Sequence, residues 1–137
     1  MATEASFIRV AEKWKKQLNL QNETISYTFE DNIVQDDDKV ANRITQAQTN
    51  SLAEYQCHDI SVSKDWLSRA TPESINEVAC HEMVHVLTSG VWGVGWDIIR
   101  DLPKNKQGTY GKWFGKEVEL ATVKTVDALM KGKKIGR

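Results

Sequence analysis

Thr71 to Gly90 reads TPESINEVACHEMVHVLTSG, and its reading decides the fold. Thr71 offers a capping hydroxyl, Pro72 suits the first helical position, and Glu73 puts an acid in the first turn. Ile75, Val78, Ala79, Val84, Val86 and Leu87 then spread around much of the helical circumference, as in a helix buried on most sides. Gly90 stands where a C-terminal cap glycine belongs. The pattern predicts a helix of about eighteen residues, longer than the globular mean but ordinary.

Within it lies His81-Glu82-Met83-Val84-His85. Positions four apart on a helix sit one above the other, so both imidazoles can converge on one metal ion. Glu82, beside the first, can take a proton from water activated there. This is the H-E-x-x-H pattern, in which two histidines bind zinc and the glutamate is general base. The alternative is a buried helix whose polar residues are satisfied by neighbours. Two histidines and a glutamate on a mostly apolar helix are costly without a common partner, and a metal provides one.

The chain has 137 residues, enough for a single domain, 1–137, with one core. Hydrophobic content of 40% and charged content of 27% are those of an ordinary globular protein. A net charge of −1 favours neither nucleic acid nor an acidic membrane surface, and no segment has the length of a membrane span. Met1-Ala2-Thr3-Glu4 shows no signal-peptide pattern, and Cys57 and Cys80 make no disulfide framework. The expectation is a cytoplasmic protein. On a helix Cys80 points about 100° away from His81, a poor position for a ligand.

Outward from the motif, Phe7, Val10, Ala11, Trp14 and Leu18 predict an amphipathic helix over 4–18, docked by one face. Residues 24–30 alternate as a half-buried strand, with Ile25, Tyr27 and Phe29 on one side. Asp36-Asp37-Asp38-Lys39 reads as a solvated turn, without the glycine-bearing pattern of a calcium loop. A weaker strand is expected over 40–48, a third over 55–63, then a short helical turn through Trp66 and Leu67. Between 90 and 116, six glycines punctuate a run holding Trp92, Trp96, Tyr110, Trp113 and Phe114. This reads as an irregular segment, either a wall or lid over a cleft or a small second core, with a short helix at 97–102 before Pro103. A last helix is expected over 116–131.

A catalytic zinc keeps three protein ligands and one open position. Glu119 shares a helix face with Val123, Val126 and Met130, a stripe that should meet the motif helix. It is the preferred third ligand, ahead of Glu117 and His58. Either glutamate could instead lie on a solvated face.

With these residues in place the chain resembles the minimal zincin metallopeptidase core. A strand ending near Ile60-Ser61-Val62-Ser63, His81-Glu82-Met83-Val84-His85 on a helix, and a glutamate-bearing helix carry the likeness, over roughly residues 55–130. In size and layout it is similar to small metallopeptidases of phages and prophages and to ImmA/IrrE-type domains; for a phage-encoded chain the compartment would be the host cytoplasm. The resemblance implies an α+β fold: N-terminal helix, three-stranded, mostly antiparallel sheet with an edge strand, buried motif helix, and C-terminal helix with the third ligand. It implies one zinc ion on His81, His85 and Glu119, Glu82 as general base, and a peptide or protein substrate on the edge strand near Ile60–Ser63. Two departures stand out. Val123 occupies the position of an aspartate in thermolysin-like enzymes, and Gly90-Val91 follow where the metzincin extension would lie.

The expected chemistry is zinc-assisted amide hydrolysis, with Tyr110 as the suggested oxyanion donor. The alternative is a non-catalytic, zinc-stabilised binding or regulatory module, closed by His58 as fourth ligand. A basic tail of Lys131, Lys133, Lys134 and Arg137 could contact nucleic acid, though charges at a chain end are usually solvated.

Overall fold

The computed structural model describes residues 2–33 and 46–135, with side chains through residue 132. The Asp36–Lys39 turn, residues 40–45 of the weaker expected strand, Arg137 and the side chains of Lys133 and Lys134 lie outside the described residues.

Helix α1, Glu4–Gln17, begins at a reciprocal cap: Ser6 N donates to Thr3 Oγ1 at 3.1 Å and Thr3 N to Ser6 Oγ at 2.9 Å. Strands β1 (Thr24–Glu30), β2 (Ala47–Leu52) and β3 (Cys57–Ser63) form one sheet in the order β1-β3-β2. Helices α2 (Lys64–Arg69), α3 (Pro72–Arg100) and α4 (Lys104–Ile135) follow. The fold is α+β, as expected, but the sheet is mixed: β1 runs parallel to β3 and β2 antiparallel. A second correction concerns the edge. β3 is paired on both sides, so Ile60–Ser63 offers no free edge, and among the described residues the outer strands are β1 and β2.

One face of the sheet, carrying Tyr27, Phe29, Ala47, Ile60 and Val62, packs with Phe7, Ala11 and Trp14 of α1 and Ile75, Ala79 and Met83 of α3 into one core. Trp14 Nε1 donates to Asn76 Oδ1 at 2.8 Å, locking α1 onto α3 while satisfying a buried indole. β2 runs on to Leu52, past the expected end at 48, and its inward residues Thr49 and Ser51 are polar. They bond Glu82 and His58, which removes the hydrophobic alternation that marks a strand.

The largest departure lies beyond Gly90. Thr71 and Ser74 cap α3 reciprocally, as the threonine and proline suggested, but the helix runs on through Gly90, Gly93 and Gly95 to Arg100. After a turn at Asp101–Pro103, α4 starts at Lys104 rather than near 116. The expected irregular segment is therefore an antiparallel helical hairpin. A glycine inside a helix costs about 1 kcal/mol relative to alanine, and here packing offsets it. Phe114 stacks edge-on against Trp96 (4.9 Å, 86°) and Trp92 (5.8 Å, 71°), a small core between the helices. Gly95 lies directly under the Phe114 ring, where a Cβ would collide with Phe114 Cζ. Gln107 Nε2 donates to the carbonyls of Arg100 (3.0 Å) and Leu102 (2.8 Å), closing the turn. No described helix is long and apolar enough to cross a membrane.

The glycines thus separate by role. Gly95→Ala is expected to destabilise the protein by about 1–3 kcal/mol, from overpacking against Phe114. Gly90→Ala, where a Cβ meets nothing within 4 Å, should stabilise it by about 0.5–1 kcal/mol through helix propensity. Urea unfolding of the two variants measures the contrast, and equal effects would refute the packing role of Gly95.

Candidate metal centre

Met83 and Val86 of α3 turn into the core, which leaves His81 and His85, two half-buried side chains, on the flank toward α4. On α4 the packed face is Val118, Thr122 and Val126. The expected stripe with Val123 is only partly that face, since Val123 is exposed. Glu119 sits at its margin and reaches across. Its Oε2 lies 3.4 Å from His81 Nε2 and its Oε1 3.1 Å from His85 Nε2, and the two Nε2 atoms are 3.2 Å apart. Nitrogen and oxygen ligands bound tetrahedrally at about 2.0–2.1 Å stand about 3.4 Å from one another. The group could hold one metal ion, since its ligand atoms all lie within 4.8 Å of each other.

The charges are coupled. Hydrogen bonding to Glu119 raises His81 above the ordinary imidazole value against the opposing effect of burial. Hydrogen bonds from His81 and then His85 hold Glu119 well below the usual carboxylate range. A dication would replace the proton that the pair shares.

Glu82 lies between α3 and β2, close enough to both imidazoles to feel their charge, and is 5% exposed. Burial pushes its carboxyl up; His85, the Thr49 hydrogen bond and His81 pull it back. Thr49 Oγ1 donates to Glu82 Oε1 at 2.8 Å. Thr49 has no signal in the sequence: it lies 33 positions from Glu82 on a strand with little apolar pattern.

The remaining candidates lie elsewhere. His58 is buried on β3 with both ring nitrogens engaged, Nε2 with Glu23 Oε1 and Nδ1 with Ser51 Oγ, each at 2.7 Å. It is neither third nor fourth ligand, and among the described residues no fourth acid, cysteine or histidine joins the group. Glu117 is exposed and outside the group. Tyr110 stands nine positions before Glu119 on α4, about 14 Å along the axis, partly exposed and tilted against Trp113 at 6.2 Å between ring centroids, and is outside the His81, His85 and Glu119 group. Cys80 is buried and outside the group. Beside His85 and Glu119 opens a cleft of about 1040 Å³, bounded by β2 and by both hairpin helices.

Comparison with protein-family models, curated proteins and solved structures finds no match to this chain.

Two outcomes are expected. Purified protein should carry one metal ion per chain, retained in Glu117→Ala and lost in Glu119→Ala, as metal analysis would show; retention in both variants would remove Glu119 from the site. In metal-free protein, Glu119, with its folded pKa lowered, contributes stability that is present above about pH 4.3 and lost as pH falls through the folded value. His81, with its folded pKa raised, contributes stability that is full below about pH 6.5 and lost as pH rises through the folded value. The pair therefore stabilises the apo chain most between these limits, and Glu119→Gln should flatten that part of the pH–stability curve in chelator. Because both side chains are partly exposed, the effect should shrink with salt.

Proposed function

We propose that this chain is a zinc-dependent peptidase of the zincin type, hydrolysing amide bonds in peptides or proteins. One observation carries the reading: two histidines of one helix turn and a glutamate from a second helix converge on one point, while a buried glutamate between those histidines in sequence is held by a strand. Three protein ligands would be the number typical of catalytic rather than structural zinc sites. Cys57 and Cys80 are not joined in a disulfide, which suits the cytoplasm.

His81, His85 and Glu119 would hold the metal. Zinc, when bound, supplies Lewis acidity and brings the pKa of water toward neutrality. Glu82 supplies the base. Thr49 occupies its Oε1, which leaves Oε2 to take a proton from the attacking water and later return it to the leaving amine. Burial raises its pKa, which strengthens it as a base and keeps the proton within reach for that second transfer. Thr49 fixes the rotamer, so the base need not be ordered at the moment of reaction. The substrate would lie along β2, whose Thr49 and Ser51 line the cleft, in place of the β3 edge that the sequence suggested.

Glu82→Gln should lower hydrolysis of a fluorogenic peptide by about 10²–10⁴-fold with one metal ion still bound. Thr49→Val should lower kcat with little change in metal content. Full activity in Glu82→Gln would overturn the mechanism.

A further inference from the structure

We propose that the cleft recognises a carboxylate of its ligand through Lys112 and Lys116. The identity of that ligand as a peptide rests on the peptidase reading; the existence of the subsite does not.

Lys112, Lys116 and Glu119 recur at i, i+4 and i+7 on α4, and all three line the cleft. Their charges have different fates. Glu119 is committed to the two histidines. Arg100, also on the cleft, is ion-paired with Asp97. Neither lysine has an acidic partner or a side-chain hydrogen bond among the described residues. Like charges four residues apart on a helix repel, and a concave site focuses their field. An anionic group between them relieves that repulsion.

The opposite bank carries the opposite sign. Glu54, on the short 3-10 turn Ala53–Tyr55, lines the cleft from the β2 side and has no ion pair among the described residues. A carboxylate entering the cleft is therefore turned toward α4. There is room for it: a Cβ on Gly90 or Gly93, both in the wall formed by α3, would meet nothing within 4 Å.

The helix also sets the position along the ligand. Lys116 lies about 4.5 Å and Lys112 about 10.5 Å from Glu119 along the axis. An extended peptide advances about 3.3 Å per residue. The carboxylate thus belongs roughly one to three residues from the bond at the metal. Its source is either an Asp or Glu side chain or the free C-terminus of a peptide.

The test uses full-length, zinc-loaded Glu82→Gln, which can bind without turnover, and fluorophore-labelled octapeptides of three kinds: one central Glu with an amidated C-terminus, Gln with a free C-terminus, and Gln with an amidated C-terminus. Anisotropy titration should show at least one carboxylate-bearing peptide binding about tenfold tighter than the uncharged control, the scale of one hydrogen bond to a charged group. The preference should fall with salt, vanish in Lys112→Ala/Lys116→Ala, and return in Lys112→Arg/Lys116→Arg. Preference for the first peptide alone assigns the side chain, and for the second alone the chain end. Equal affinities, or no binding, overturn the proposal. Wild-type hydrolysis of the same peptides separates the two claims: hydrolysis without a carboxylate preference sinks the subsite alone, and a lysine-dependent binding preference without hydrolysis sinks the peptidase reading alone.

Discussion

A carboxylate on one helix must meet two imidazoles on another, and that meeting is the constraint on which the rest of the arrangement depends. Glu119 touches His81 and His85 at 3.4 and 3.1 Å, so α3 and α4 have a fixed separation at that level. Farther along the hairpin the same separation leaves no space for a side chain at Gly95 beneath Phe114. The indole rings of Trp92 and Trp96 then fill the remaining gap. Glycine and aromatic residues here are two halves of one packing solution. On the opposite flank Thr49 binds Glu82, tying β2 to the same helix. Behind these polar contacts the apolar core of α1, α3 and the sheet supplies cohesion.

The two glutamates show how environment separates like groups. Glu119 is more than half exposed and held low by two imidazoles. Glu82 is buried and pushed up by desolvation. One is suited to remain an anion that binds, the other to exchange a proton, and the difference comes from which element each faces. Helix phase decides it: His81 and His85 look toward α4, whereas Glu82, one position after His81, looks toward β2.

Much of this was readable in the sequence where the local signal and the tertiary outcome agree. The spacing of Phe7, Ala11 and Trp14 marked α1, the alternation around Tyr27 marked β1, and Thr71-Pro72 marked the start of α3. His81, His85 and Glu119, named as ligands from spacing alone, do converge. What failed did so for physical reasons. Gly90 imitates a helix cap, yet its small cost is outweighed by the hairpin packing beyond it. β2 is polar inside because it serves Glu82 and His58, so its apolar alternation is missing. Strand order depends on contacts far apart in sequence, which hid the central position of β3. Tyr110 was chosen for its chemistry without a spatial constraint, and it lies about 14 Å along α4 from Glu119.

The uninterrupted course of α3 from Pro72 to Arg100 couples His81 and His85 to the cleft wall as parts of one rigid screw. His85 and Gly93 share a single helical phase reference. Inserting one residue between them would rotate everything beyond by about 100°, turning Gly95 and the returning helix, with Glu119 on it, away from their places relative to His81 and His85. Inserting seven would nearly restore the angle and, with an equal insertion in α4 before Glu119, lengthen the hairpin by about 10 Å. In this chain, changes of length along α3 are therefore acceptable only in steps close to whole turns and matched in α4, and the depth of the cleft can change only in such increments.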